Sequence, residues 1–345
     1  MAPLPQERLV PETTRRADRL MAEAMTIIDT ARGDGAHLRL TGGLAVRRYA
    51  TDLDFMDREF SDIDFVGLSC ESGRLRRLFE RLGYQENRHV TDATAGGQLQ
   101  YLARARLAES HAHVLKRPRP LGPANVTTAG DHVDVFLDVM RMDHDIDMRS
   151  RLDADAYAIS PADILLSKLQ IGEPAAKDVH DVIALLKDVP LRETGGGGGI
   201  DPALLNRACA KDWGLCHDVT ANLDLVVSAL AAWPLSEAQR RLVAERATRL
   251  RTAIADTEKP LRWRLRARVG TRLPWRRQVE EREGSPRVIE STGAAPKLLS
   301  CGDCRHAVQI STRLVDLPAA PLACPRCGGL DLDVRSPDTE EPVAA

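Results

Sequence analysis

Asp62 and Asp64 stand one residue apart in the run Ser61-Asp62-Ile63-Asp64-Phe65-Val66, and a third acid, Asp134, sits between valines in Val133-Asp134-Val135-Phe136. Residues two apart on an extended strand share a face, so Asp62 and Asp64 point one way while Ile63 and Phe65 point into a core. With nothing cationic beside them in the run, the two carboxylates are suited to holding something positive. Asp134, flanked by apolar neighbours, is expected to project a third acid from a neighbouring strand. Three carboxylates converging on one spot would hold two magnesium ions in hard oxygen coordination, the arrangement that serves in-line phosphoryl transfer. Upstream, Leu40-Thr41-Gly42-Gly43-Leu44-Ala45 closes a short apolar run on two glycines. Ahead of a helix, such a turn presents bare backbone N–H groups at a positive helix end, where a triphosphate would sit. Thr41, Gly42 and Gly43 are therefore the expected cradle for a nucleoside triphosphate.

A second chemistry lies near the end of the chain. Cys301-Gly302-Asp303-Cys304 is followed, after 19 residues, by Cys324-Pro325-Arg326-Cys327. Two C-x-x-C knuckles at this spacing read as a zinc ribbon. Four thiolates leave a tetrahedral zinc no open position, so the expected role is structural, folding a segment too small for its own core. His306 is a less favoured substitute for one of the cysteines. Cys70, Cys209 and Cys216 are scattered and belong to no motif.

A third feature is a run without an acid from 259 to 279 that carries Lys259, Arg262, Arg264, Arg266, Arg268, Arg272, Arg276 and Arg277, with Trp263 and Trp275 among them. Cations with interleaved aromatics could grip a nucleic-acid backbone and stack a base. The other reading is a solvated helix face whose tryptophans pack on the neighbouring domain. The sequence leaves both open.

These residues need elements to position them. Ala17, Leu20, Met21, Ala24, Met25 and Ile28 recur at helical spacing over 12–31, and Leu38-Arg39-Leu40 then reads as a strand ending at the glycines. A second strand is predicted from Ile63 to Leu68, a helix from Gly73 to Leu82, and a third strand from Val133 to Val139. No element is placed in the polar stretch 88–130. Ser160-Pro161-Ala162-Asp163 combines an N-cap serine, a first-turn proline and an acid, so a helix is predicted from there to Gln170. Another is predicted from Ala175 to Lys187. Within the long interval after Gly43 lies a competing pair, Asp52 and Asp54 in Asp52-Leu53-Asp54-Phe55. Asp62 and Asp64 are preferred because Phe65-Val66-Gly67-Leu68 continues as a buried strand, whereas Met56-Asp57-Arg58-Glu59 does not. Asp52 and Asp54 then fall on a helix end or loop.

Five glycines at 195–199 suggest a flexible linker. Beyond them the pattern to about Asp256 is helical, with Ser236-Glu237-Ala238-Gln239 as a capping box. The expected organisation is a catalytic domain over 1–190, a Gly-rich linker over 191–200 and a helical domain with the basic stretch over 201–277. A linker over 278–298, the zinc ribbon over 299–335 and a disordered tail over 336–345 complete it.

Of the 345 residues, 43% are hydrophobic and 28% charged, enough for a real core, and the net charge of -2 provides no whole-molecule field for nucleic acid. The N-terminus lacks a charged-then-apolar signal pattern, and no run of about 18 apolar residues occurs, so the expectation is a cytoplasmic protein with no membrane partner. In that setting tight cysteine pairs favour metal over disulfides.

A Gly-Gly turn, a helix, an Asp-x-Asp strand and a third acidic strand, in that order, resemble the polymerase-beta-like nucleotidyltransferase superfamily. Ser160-Pro161-Ala162-Asp163-Ile164-Leu165-Leu166-Ser167-Lys168-Leu169 and Lys177-Asp178-Val179-His180-Asp181-Val182 resemble the lysine and aspartate motifs of its AbiEii-like branch, which includes toxins of type IV toxin–antitoxin systems. The resemblance covers roughly 35–190. It implies an α/β (α+β) domain with a mixed sheet that transfers a nucleotide from a triphosphate to an acceptor hydroxyl, with pyrophosphate leaving. It also implies that Lys168 contacts the nucleotide phosphates, that Asp178 is a further active-site carboxylate, and that an antitoxin is a candidate partner. Read without it, Lys168 is a solvated helix residue, and Lys177 with Asp181 is a surface pair at helical spacing. The interval from Gly43 to Asp62 is longer than is usual for the family. Structured RNA, tRNA foremost, is the expected acceptor, because a small molecule would need neither the basic stretch nor the ribbon. The rival readings are a small-molecule transferase and a non-catalytic nucleotide-sensing or nucleic-acid-binding module.

Overall fold

The computed structural model describes residues 11–103, 132–192 and 198–277, and the backbone of 297–301, 307–310 and 332–335. Chain contacts divide it into two compact units, Met1–Gln278 and Val279–Ala345.

The first unit is built on a mixed five-stranded sheet. In chain order, helix α1 (Glu12–Gly33) leads to strand β1 (Leu38–Thr41), helix α2 (Gly42–Tyr49) and strand β2 (Asp62–Gly67). Helix α3 (Ser72–Arg81), strand β3 (Tyr84–Glu86), helix α4 (Arg88–Ala93) and strands β4 (Gln98–Ala103) and β5 (His132–Leu137) follow. The spatial order is β1-β2-β5-β4-β3, with β2 and β5 parallel and the other neighbours antiparallel. α4 and β4 occupy part of the 88–130 stretch where no element is expected from sequence, and 104–131 lies outside the described residues. The strands form where apolar residues concentrate. Ile63, Phe65, Val66, Val133, Val135 and Leu99 are buried in one core with Leu20, Ile27 and Ile28 of α1. Fully burying each such side chain is worth about 1.5–3 kcal/mol.

A small hairpin, β6 (Val139–Arg141) with β7 (Asp145–Asp147), precedes helices α5 (Pro161–Leu169) and α6 (Ala176–Asp188). Ser160 caps α5 as expected, its Oγ accepting from the Asp163 amide at 3.1 Å. α6 is buried from Asp178 to Lys187 without a break, so it needs neighbours on every side. They come from α2 and α5 and, later in the chain, from α8 (Trp213–Ala229) and α9 (Glu237–Asp256), while α7 (Pro202–Lys211) packs on α5, α8 and α9.

The domain boundary expected at residue 190 is therefore not a break between compact units. Leu191 bridges Ile200 across the glycine run, and Arg246 of α9 donates to the carbonyls of Leu186, Lys187 and Val189. The helical segment completes the first unit because the apolar surface of α6 would otherwise face water. Trp213–Ala232 is long and apolar enough, by composition alone, to cross a bilayer. Its buried Leu215, Val219, Leu223 and Val226 account for that composition by packing in the core.

Helix α10 (Leu261–Val269) ends the unit, and the arm after it is latched down. Buried His144 pairs through Nε2 with Asp218 at 2.8 Å, and the Trp275 indole donates to the other oxygen of Asp218 at 3.0 Å. The Arg277 amide donates to the Asp143 carbonyl at 2.9 Å.

In the second unit, β8 (Lys297–Cys301), β9 (Ala307–Ile310) and β10 (Leu332–Arg335) form an antiparallel sheet in the order β10-β8-β9. Cys301 ends β8. Cys304, Cys324 and Cys327, with most of the expected linker and the tail, lie outside the described residues.

Candidate active site

Strand register assembles the site. The parallel pairing of β2 with β5 places Asp64 opposite Asp134 and Asp62 opposite His132. β1 places Thr41 opposite Asp64, and β4 places Gln100 opposite Asp134. Directly paired residues share a face, so Thr41, Asp64, Asp134 and Gln100 form one row across the sheet, with Asp62 and His132 one step along it. Gln100 donates to Asp134 Oδ1 at 3.0 Å. His132 Nε2 lies 3.1 Å from Asp134 Oδ2 and 3.7 Å from Asp62 Oδ2. Thr41 Oγ1 is buried and has no hydrogen-bond partner among the described residues.

The glycine turn lies on this row. Gly42 has φ +65°, a left-handed backbone that glycine adopts without strain, and a Cβ there would fall 2.0 Å from Asp64 Oδ2. The backbone of the turn thus rests directly against a site carboxylate. A Cβ on Gly43 would meet Arg58 Nη2 at 2.3 Å, which puts a guanidinium at the same helix end. Thr41 is the N-cap residue of α2 but makes no side-chain capping bond, so its own hydroxyl does not compete for the first-turn donors.

Charge is concentrated here. Burial, reinforced by Asp62 and Asp134, pushes the Asp64 carboxyl up to about 8 against partial relief from Lys168 and His132. Asp64 keeps a little exposure at the mouth of the row while protein atoms surround its carboxylate. The Asp134 hydrogen bond raises the His132 imidazole above its ordinary value despite burial.

Beside the row is a four-membered ion network. Lys168 Nζ lies 2.9 Å from both Asp178 Oδ1 and Asp181 Oδ2. Asp181 is fully buried and also accepts from Arg58 Nε at 3.1 Å and from Arg58 Nη2 at 2.8 and 3.0 Å. Burial opposes the Lys168 charge, but the two aspartates outweigh it and raise its pKa. Lys168 and Asp178 are brought together, and Asp178 also accepts from the Ala175 amide at the start of α6. Asp181 is not a surface partner of Lys177. Lys177 is exposed while Asp181 faces inward, held by an arginine 123 positions away in sequence.

Asp52 and Asp54 sit in the turns between α2 and β2, away from the row. Asp52 accepts from the Phe55 amide and pairs with Lys187 at 3.4 Å. Among the described residues, no three His, Cys, Asp or Glu side chains close around one point as a ready-made metal cage. The site carboxylates are neighbours in a row rather than a shell.

The basic stretch divides in two. The Trp263 indole donates to the Cys209 carbonyl and that of Trp275 to Asp218, so both tryptophans anchor inward. Lys259 bonds the Thr257 carbonyl, Arg266 bonds the Gly270 and Leu273 carbonyls, Arg276 pairs with Glu173, and Arg277 pairs with Asp145. The side chains of Arg262, Arg264, Arg268 and Arg272 are exposed and make no ion pair or hydrogen bond among the described residues.

Sequence reasoning did not single out Arg58, Gln100, His132 or the inward role of Asp181. His132 alone carried a local signal, since it shares strand parity with Asp134. No protein-family model matches the chain, and no curated protein matches it.

Proposed function

We propose that this protein is a magnesium-dependent nucleotidyltransferase, and the observation that carries the reading is the row of Thr41, Asp64 and Asp134 lying under the glycine start of α2. A divalent cation suits the donor set. Asp62, Asp64 and Asp134 offer only hard oxygens, and a bound cation offsets what raises the Asp64 carboxyl, its burial first and the neighbouring Asp62 and Asp134 charges second. Bound by these three aspartates, a magnesium pair would supply Lewis-acid activation of the α-phosphate and of the acceptor hydroxyl.

The chain's own residues do the rest. Free N–H groups of the Gly42-Gly43 turn take phosphate oxygens at the positive end of α2. Arg58, against Gly43, and Lys168, whose charge reaches Asp64, are the cations nearest the turn, and a triphosphate would draw on them in competition with Asp178 and Asp181. Gln100 fixes one oxygen of Asp134 so that the other faces the row. The acceptor hydroxyl attacks the α-phosphate, its proton passes to a site carboxylate, and pyrophosphate leaves. Near-attack placement is worth several kcal/mol by itself.

RNA, with tRNA foremost, is the acceptor this reading favours, now on Arg262, Arg264, Arg268 and Arg272 rather than on the tryptophans. A place in the AbiEii-like branch, an antitoxin partner and a cytoplasmic location belong to the same proposal. A structural zinc held by Cys301, Cys304, Cys324 and Cys327 is supported by the antiparallel β10-β8-β9 sheet at the expected place in the chain, and one equivalent per chain is the expected content.

Incubation with total RNA and each labelled triphosphate tests the reading. Asp62→Ala, Asp64→Ala and Asp134→Ala should each abolish magnesium-dependent label transfer, while Asp52→Ala and Asp54→Ala should retain it. The opposite pattern would refute the assignment.

A further inference from the structure

We propose that His132 is itself a ligand of the carboxylate centre, so that the site takes manganese(II) in preference to magnesium. This rests on the metal-site reading above and goes beyond it, because three aspartates alone would discriminate little between the two ions.

The geometry points to it. His132 is the parallel-register partner of Asp62 and lies two residues before Asp134 on β5, so its ring joins the same face as the three acids. Its Nε2 is aimed between two of them, 3.1 Å from Asp134 Oδ2 and 3.7 Å from Asp62 Oδ2. Ligand atoms about 2.1 Å from a common ion and at right angles to one another stand about 3.0 Å apart. The His132–Asp134 separation therefore already suits two neighbouring ligands. The 3.7 Å Asp62 separation corresponds to a wider angle, of about 120° at the same ligand distance, and still lets both atoms reach one ion. An ion replacing the shared ring proton would find its ligands on three backbone positions fixed by a hydrogen-bonded ladder. A second observation in the row also points to a ligand: Thr41 Oγ1 is buried, unpartnered among the described residues and opposite Asp64.

Chemistry then selects the ion. Magnesium dehydrates reluctantly and keeps oxygen ligands, whereas imidazole suits transition metals. Manganese(II) accepts both carboxylate and imidazole, so one nitrogen among three carboxylates favours it. Gln100 occupies Asp134 Oδ1, so Oδ2 is the oxygen turned toward His132.

The test titrates tag-free full-length protein with Mn2+, following the loss of free-ion signal by EPR, and uses pulsed EPR to look for directly bound 14N. Wild type should show nitrogen coupling from one imidazole. His132→Ala and His132→Gln should lose it, with Mn2+ affinity falling at least about tenfold and Mg2+ affinity, read by competition, falling less than about threefold. His132→Gln keeps a hydrogen-bond donor toward Asp134, and a thermal melt of each variant separates misfolding from ligand loss. Absence of nitrogen coupling, or equal losses for both ions, overturns the inference. If Asp64→Asn and Asp134→Asn still abolish Mn2+ binding in that case, the carboxylate centre stands without His132. If they do not, the metal-site reading falls as well.

Discussion

Asp181→Ala is the most informative single substitution outside the carboxylate row. Asp181 has no exposed side-chain surface and joins Arg58, bound through two nitrogens, to Lys168. Deleting it leaves Arg58, whose side chain is 18% exposed, with the Glu59 carbonyl and the Phe60 ring, whose centroid is 4.1 Å from its guanidinium carbon, whereas Lys168 keeps Asp178. Breaking a buried ion pair by removing one partner costs about 3–5 kcal/mol, and the surviving Lys168–Asp178 contact with the partial exposure of Arg58 places this case near about 3. For a unit of this size each kcal/mol lowers the melting temperature by roughly 2–4 °C, so a fall of roughly 6–12 °C is expected. Asp178→Ala should cost less, since Lys168 retains its fully buried partner. Replacing Arg58 and Asp181 together by Met and Leu should recover part of the loss, because two apolar groups leave no stranded charge. Calorimetry of wild type, Arg58→Met, Asp181→Leu and the double variant closes the cycle, with Asp181→Ala and Asp178→Ala melted beside them. A loss below about 1 kcal/mol for Asp181→Ala, or a double variant as unstable as the sum of the singles, would show that the network is not a coupled unit.

Gly42→Ala forces a left-handed φ on an L-residue, at about 1–2 kcal/mol, and drives a methyl into Asp64, so metal affinity in a calorimetric titration should fall far more than stability does. Asp64 has a folded pKa raised to about 8, well above its unfolded value, so the stability linked to its neutral form is complete below about pH 4 and lost as pH rises through 8. Melting temperature in chelator should therefore decline across that window, and either saturating divalent cation or Asp64→Asn should flatten the decline. A triple replacement of Arg262, Arg264 and Arg268 should leave the melt unchanged and reduce the log–log salt slope of RNA binding by up to about 3. Replacing Arg266, Arg276 and Arg277 instead should destabilise the protein, because these three hold carbonyls and acids of the same unit.

The carboxylates were legible because each announces itself locally. A period-two pattern around Asp62, Asp64 and Asp134 needs no knowledge of neighbours. What the pattern could not supply was adjacency, since only the parallel pairing of β2 with β5 sets Asp64 against Asp134. Gln100 lay in a segment too polar to read, and Arg58 sits in irregular turns with a target far along the chain. Asp181 was misjudged because helical spacing relates it to Lys177 without saying which side of α6 faces protein. The glycine run misled in the same way. Its composition reports local flexibility, whereas the seamless burial of α6 depends on helices that come after the run. The tryptophans were equally ambiguous until their indole donors found Cys209 and Asp218.

The latch formed by His144, Asp218 and Trp275 has a consequence for how the protein is made. Its three parts come from a hairpin, a core helix and the arm that leaves the unit, and the last is synthesised long after the first. At about 5–20 residues per second, the chain between His144 and Arg277 takes roughly 7–27 s to emerge, and Asp218 lacks its indole partner until the end of that interval. The first unit is thus sealed by nearly its last residues, while everything after Arg277 can still be unmade. A chain released after Arg277 would carry a complete first unit, whereas one released before Trp275 would carry that unit still missing its clasp.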